Sequence, residues 1–151
     1  MIIKDRVALG ACAGLIGVIP QVILNLISHA FHFSKVYSFT LIGGVFLKGK
    51  VTADLGGILL GSILWLFGAI FIGFIIVLLF QMTGKDYWWL KGPLTTIIIM
   101  HLFIYGFAFN MANTKIIPVD IPTNLSIFIE NIIFGITTGY LIARWSRLPN
   151  R

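Results

Sequence analysis

The stretch LGGILLGSILWLFGAIFIGFIIVLLF, residues 55–80, contains no charged side chain. At a rise of ~1.5 Å per residue, a helix of this length is about 39 Å long, which exceeds the ~30 Å hydrocarbon core of a bilayer. Lipid offers no hydrogen-bonding groups, so a spanning segment must pair its own backbone N–H and C=O groups. Residues 55–80 therefore predict a transmembrane helix that is tilted or begins in the membrane interface.

The composition extends this prediction to the whole chain. Its 151 residues are 58% hydrophobic and only 11% charged, with a mean hydropathy of +1.00. Soluble domains contain about 25% charged residues, so the shortage of charge argues against a water-soluble fold. The length favours one domain, residues 1–151.

Three further apolar stretches, residues 7–33, 93–111 and 125–145, are long enough to span a membrane. Asn124 or Thr123 is predicted to cap the last of these helices. Residues 36–47 are apolar but too short to cross, and their adjacent glycines, 43 and 44, are expected to break a helix. The predicted fold is an all-α, integral membrane four-helix bundle with a short interfacial or re-entrant segment between helices 1 and 2.

The distribution of basic residues predicts the orientation of the bundle. With four spans, both termini lie on the same side of the membrane, and that side has seven Lys and Arg residues against four on the other. The seven are Lys4, Arg6, Lys85, Lys91, Arg144, Arg147 and Arg151, and the four are Lys35, Lys48, Lys50 and Lys115. The positive-inside rule then predicts a multi-pass protein of the cell membrane with both termini in the cytoplasm.

The net charge of +6 does not indicate a nucleic-acid-binding protein. The basic residues lie at the ends of the apolar stretches and form neither a run nor a stripe. Anionic lipid headgroups account for them better, so the lipid bilayer is the expected partner.

Glycines at helical spacing predict the faces on which the helices pack. They are Gly10, Gly14 and Gly17 in the first span, Gly57, Gly61 and Gly68 in the second, and Gly135 and Gly139 in the fourth. A stripe of small residues lets two helix backbones approach closely in lipid. We expect the stripes of the first and second spans to pack against each other, and the pair in the fourth span to pack on another helix.

Polar residues that fall inside the spans form the candidate functional site. The first span has polar residues on one face of its outer half, and Glu130 is a carboxylic acid within the fourth span. The predicted cluster contains Gln21, Asn25, His29, His32, His101 and Glu130. Intramembrane polar groups face the bundle or a cavity, because their exposure to lipid is costly. The depths of these residues predict a His29 or His32 ring within hydrogen-bonding reach of Glu130.

Two interpretations of this cluster remain open. The polar residues of the first span either orient the bundle through interhelical hydrogen bonds or line a polar pocket or pathway. Glu130 is either a structural partner of His29, His32 or Lys115, a residue that reaches the interface, or a group that handles a proton or a cation. A zinc site built from the histidines and Glu130 is the weakest alternative, because no HExxH pattern and no cysteine pair accompanies them.

The sequence has no motif that indicates an enzyme. It contains no G-x-S-x-G elbow, no P-loop and no G-x-G-x-x-G, and its one cysteine, Cys12, lies in an apolar stretch. We therefore expect no catalytic residue, metal or cofactor. The prediction is a structural or accessory subunit of a membrane complex, acting with partner membrane subunits or as a homo-oligomer. The alternative is a small transport or channel component that handles a cation or proton through the polar cluster.

Several short motifs resemble one known family. They are Phe31-His32-Phe33 at the end of the first helix, Trp89 followed by Gly92-Pro93 at the start of the third, and Phe134-Gly135-Ile136-Thr137-Thr138-Gly139-Tyr140 in the fourth. Together with the glycine-rich second helix, this layout resembles the YqhR-type small membrane proteins of spore-forming Firmicutes. The resemblance implies four helices, and it implies no activity and no functional residue.

Overall fold

The computed structural model describes residues 3–47, 54–112, 118 and 120–146, and this part of the chain is helical without a strand. The helices are α1 (Arg6–Ala30), α2 (Ser38–Phe46), α3 (Leu55–Thr83), α4 (Trp88–Thr96), a π-helical stretch (Ile97–Ala108), α5 (Phe109–Ala112) and α6 (Ile121–Trp145). The π-helical stretch and α5 continue α4 without a break, so these three form one continuous helical segment, which is the third span. The predicted all-α four-helix fold is confirmed.

Four helical segments are long and apolar enough to cross a membrane, namely Arg6–Ala30, Leu55–Thr83, Trp88–Met111 and Ile121–Trp145. By length and composition the chain is therefore a multi-pass membrane protein. The third segment begins at Trp88 rather than at residue 93. Its first turn forms immediately after Tyr87, whose left-handed backbone (φ 55°) turns the chain out of the preceding loop.

The fourth segment begins at Ile121 because Asp120 caps it, so the prediction of Asn124 or Thr123 as the cap is wrong. The Asp120 carboxylate accepts from the Thr123 backbone N–H at 3.2 Å and from the Thr123 hydroxyl at 2.6 Å. The Thr123 hydroxyl bond, helped by Lys35 at 3.4 Å, holds the pKa of the Asp120 carboxyl below its ordinary value. The Asn124 amide instead donates to the carbonyls of Pro118 and Asp120.

The short segment between the first two spans forms a helix, α2, that continues through Gly43 and Gly44 instead of breaking there. Gly43 gives close backbone contact with α3. A Cβ atom added at Gly43 would lie 3.3 Å from the Gly57 carbonyl oxygen, and one added at Gly61 would lie 2.5 Å from the Phe39 carbonyl oxygen. Gly57 and Gly61 thus receive α2, and the expectation that they receive α1 is wrong.

Because α2 occupies the first half of α3, α1 packs on the second half. A Cβ atom at Gly10 would lie 2.7 Å from the Phe74 backbone, and one at Gly14 would lie 2.3 Å from the Ala69 carbonyl oxygen. Gly73 provides the small residue on the α3 side of this contact, 2.2 Å from the Gly10 carbonyl oxygen by the same measure. The two other members of the predicted stripes lie elsewhere. Gly17 faces the Thr138 hydroxyl of α6, and Gly68 has open space beside it.

The glycine pair of α6 packs on α4. A Cβ atom at Gly135 would lie 2.6 Å from the Pro93 Cα, and Gly139 lies against the Trp88 carbonyl oxygen. Gly92 approaches the Gly135 carbonyl oxygen from the α4 side. This contact attaches the third span to α6 through its first half.

Both ends of the described chain lie at one end of the bundle, here called the terminal end. The Ile3 backbone N–H donates to the Trp145 carbonyl oxygen at 3.0 Å. The described basic residues near the chain ends and the α3–α4 turn are Lys4, Arg6, Lys85, Lys91 and Arg144. Lys48, Lys50, Lys115, Arg147 and Arg151 lie outside the described residues. The side of the membrane that this end faces stays a prediction.

Candidate functional site

The Glu130 carboxyl group is completely buried where α1, α2 and α6 meet. Its Oε1 accepts hydrogen bonds from the Asn25 amide and the Ser126 hydroxyl, both at 2.9 Å. Its Oε2 accepts a bond of 2.5 Å from the Ser38 hydroxyl. All three donors are neutral, and among the described residues no Lys, Arg or His side chain contacts this carboxyl.

Asn25 connects α1 to the beginning of α2. Its amide nitrogen lies 3.0 Å from the Ser38 hydroxyl, and its Oδ1 accepts from the Ser38 backbone N–H at 3.2 Å. The first N–H groups of a helix have no partner within that helix, and the Asn25 side chain satisfies one of them. Asn25 and Glu130 thus hold α2 in the bundle by its N-terminus.

A hydroxyl pair extends this network along α1 and α6. The Ser28 and Ser126 oxygens lie 2.7 Å apart. Ser126 precedes Glu130 by four residues and Ser28 follows Asn25 by three, so each pair lies on one face of its helix. We call Asn25, Ser28, Ser38, Ser126 and Glu130 the Glu130 network. It joins three helices through hydrogen bonds between side chains and one bond from the Ser38 backbone N–H to Asn25.

The three histidines of the predicted cluster do not join this network, and the expectation that His29 or His32 contacts Glu130 is wrong. The His29 Nδ1 lies 3.0 Å from the Ser34 carbonyl oxygen, and its ring packs on Tyr37 with centroids 4.1 Å apart. His32 is exposed just after α1, in a left-handed conformation (φ 58°). His101 packs against Tyr105 and Phe128. Ser38 occupies the position beside Glu130 that a histidine was expected to take.

Gln21 lies next to the network but bonds to a different residue. Its amide donates to the Asn131 Oδ1 at 3.5 Å, which is a long hydrogen bond. Both amides line a cavity of about 70 Å³ between α1, α2, α3, α6 and the third span. Ser38, Trp65, Gly68, Met100, Ile104 and Tyr105 also line this cavity.

Two of the donors to Glu130, Ser126 and Ser38, were not among the residues predicted from the sequence. Ser126 could have been found, because its spacing of four residues from Glu130 places it on the same helix face. Ser38 could not have been found in this way, because it belongs to a segment that was expected to lie in the interface or to re-enter the membrane. Its position depends on the glycine contact between α2 and α3.

The described residues contain no group of three His, Cys, Asp or Glu side chains that could hold a metal ion. The Glu130 network offers a carboxyl group with three neutral hydrogen-bond donors. This arrangement can fix the relative positions of helices, and it can hold a proton or a small cation on the carboxyl.

The chain matches no protein-family model, no curated protein and no solved structure. The resemblance to the YqhR-type proteins stays a prediction. What the fold and the composition establish is a helical multi-pass membrane protein with a buried carboxyl network.

Proposed function

We propose that this protein is an accessory subunit of a membrane complex and that it binds a transmembrane helix of a partner in a groove between α3 and the π-helical stretch. We call this the lateral groove. The observation that carries the proposal is Gly68 on α3, whose added Cβ atom would meet nothing within 4 Å. A glycine that has no packing neighbour in a membrane helix leaves room for the backbone of another helix to approach closely.

The third span leaves the groove open because it is attached mainly to α6. The close glycine contact with α6 involves α4, and in the π-helical stretch only Tyr105 is buried. The Tyr105 hydroxyl donates to the Asn124 Oδ1 at 2.8 Å, which ties the far half of the span to α6 as well. The π-helical stretch is therefore held in place by α6 and forms the side of the lateral groove opposite Gly68.

The floor of the groove favours a helix over a lipid chain. Gln21 and Asn131 line the cavity beneath it, and the bond between them uses one polar atom of each amide. Each amide keeps a second polar group that bonds to no other described side chain. Polar groups in a hydrocarbon environment are costly unless they are bonded, and a partner helix can bond to them whereas an acyl chain cannot.

Photocrosslinking tests this proposal. We expect a photoreactive amino acid at position 68 to give a protein adduct of one discrete mass in native membranes. The matched control is position 67, which lies about 100° away on the same helix and whose side chain is 66% exposed. Position 67 should give no such adduct. In a chain without the photoreactive residue, the same partner should co-purify with the unsubstituted protein and be lost from Gly68→Leu.

Two other results would decide against parts of the proposal. An adduct between two copies of this chain would identify the partner as the protein itself, in a homo-oligomer. Lipid adducts alone at both positions would mean that the groove is filled by the bilayer, and the accessory function would lose its support.

The burial of Glu130 favours a second candidate, a transport component that handles a proton or a monovalent cation. A buried carboxyl group with only neutral described partners is either protonated or balanced by a bound cation. If this candidate is correct, purified protein in liposomes should show proton or sodium flux. Glu130→Gln, which keeps the shape of the side chain, should reduce this flux at least about tenfold. Equal flux in the two proteins, or flux no higher than in empty liposomes, would exclude it.

A further inference from the structure

A second cavity, of about 400 Å³, lies at the terminal end of the bundle. Its walls come from the N-terminal segment, the first turns of α1, the last turns of α3 and the end of α6. Its lining residues are Ile3, Lys4, Arg6, Leu9, Val77, Gln81 and Ser146. Its volume is within the ~300–1,000 Å³ range of small-ligand sites, and none of these residues belongs to the Glu130 network or to the lateral groove.

Two hydrogen-bonding groups in this cavity have no partner. The Gln81 amide nitrogen and the Ser146 hydroxyl oxygen are both buried and bond to no other group of the described chain. Ser146 as a whole is only 7% exposed. Buried polar groups in native proteins are nearly always hydrogen-bonded, so two unpaired groups in the same cavity indicate an acceptor that occupies it.

The charges around the cavity favour an anionic acceptor. Lys4 and Arg6 line the cavity, and neither forms an ion pair with a described carboxylate. The nearby Asp5 carboxylate is used as the N-cap of α1, where it accepts from the Ala8 backbone N–H at 2.6 Å, and Asp5 does not line the cavity. The N-terminus of α1 adds the positive end of a helix dipole.

We propose that this cavity binds the phosphate group of an anionic phospholipid. Phosphate oxygens can accept from the Ser146 hydroxyl and the Gln81 amide while Lys4 and Arg6 balance the charge. A free phosphate ester shares this chemistry. The apolar side chains of Ile3, Leu9 and Val77 favour the lipid, because they provide a surface for its glycerol backbone and first methylene groups. The inference does not depend on the accessory function.

A second basic surface at the same end supplies a control. A basin between the α3–α4 turn and the end of α6 is lined by Lys85 and Arg144, and also by Asp86 and by aromatic side chains. Its polar side chains include no buried group without a partner among the described residues. Loss of both of its cations removes as much charge as loss of Lys4 and Arg6.

Native mass spectrometry of the full chain in detergent tests the site, with phosphatidylglycerol and phosphatidylcholine as probes. We expect one phosphatidylglycerol to bind roughly tenfold more tightly than phosphatidylcholine. Ser146→Ala with Gln81→Met should weaken phosphatidylglycerol binding roughly tenfold, because the phosphate loses two hydrogen-bond donors. Lys4→Gln with Arg6→Gln should remove the preference over phosphatidylcholine. Ser146→Thr, which keeps the hydroxyl, should retain the affinity, and the control pair Lys85→Gln with Arg144→Gln should leave both the affinity and the preference unchanged.

Three results would distinguish a specific phospholipid site from general charge attraction and from a site for a soluble phosphate ester. If phosphatidylglycerol binds to Ser146→Ala with Gln81→Met as tightly as to the unsubstituted protein, or if the preference for phosphatidylglycerol survives Lys4→Gln with Arg6→Gln, the site is refuted. If it is lost equally in the control pair, only general charge attraction is at work, and the site is again refuted. Glycerol 3-phosphate serves as a soluble competitor, and displacement of the lipid at equal concentration would overturn the assignment to a lipid.

Discussion

Gly14→Ala is expected to destabilise the protein by about 1–3 kcal/mol, whereas Gly68→Ala should leave its stability unchanged or slightly increased. The two substitutions add the same methyl group to glycines inside membrane helices. At position 14 the new Cβ atom would lie 2.3 Å from the Ala69 carbonyl oxygen, so α1 and α3 must separate. At position 68 it would meet nothing within 4 Å, and alanine has the higher helix propensity.

Thermal unfolding of the purified protein in detergent measures this difference. For a chain of this size, ~1 kcal/mol corresponds to about 2–4 °C in the unfolding midpoint. We therefore expect Gly14→Ala to lower the midpoint by roughly 3–10 °C relative to Gly68→Ala. Equal midpoints for the two variants would show that the α1–α3 contact is not as close as described.

Glu130→Ala is expected to destabilise the protein by about 3–5 kcal/mol, and Glu130→Gln by about 1 kcal/mol or less. Alanine leaves a cavity, and it leaves the Asn25, Ser38 and Ser126 donors without their acceptor. Glutamine keeps the volume. Its carbonyl oxygen can accept from Asn25 and Ser126 while its amide donates to the Ser38 hydroxyl.

The same unfolding measurement tests the Glu130 variants, with Thr137→Ala as a control on the same helix. The Thr137 hydroxyl donates only to the Ile133 carbonyl oxygen of its own helix, so its removal should have little effect. If Glu130→Gln is as unstable as Glu130→Ala, the carboxylate charge itself is required. That result would favour a bound cation and, with it, the transport candidate.

The sequence was sufficient to predict the four spans, because each is a long apolar stretch bounded by polar or charged residues. The sequence also assigned Asn25 and Glu130 to one polar cluster, because intramembrane polar groups face the bundle, but it did not predict the hydrogen bond between these two side chains. The predicted boundaries were less accurate where capping decides them, as at Asp120. The histidine partner was wrong because residue types and depths do not specify which face a neighbouring element covers.

Hydrophobicity and helical spacing by themselves determine that this chain is helical, that it is suited to a membrane, and that its few intramembrane polar groups are candidates for a site. These properties depend on local composition and on the absence of hydrogen-bond partners in lipid, so they can be derived without knowing how the helices are arranged. The glycine pairings could not be derived in this way, because a small residue permits close approach without selecting its partner. Only the tertiary structure places α2 on the first half of α3, and that contact moves α1 to Gly73, brings Ser38 to Glu130 and leaves Gly68 facing an open groove.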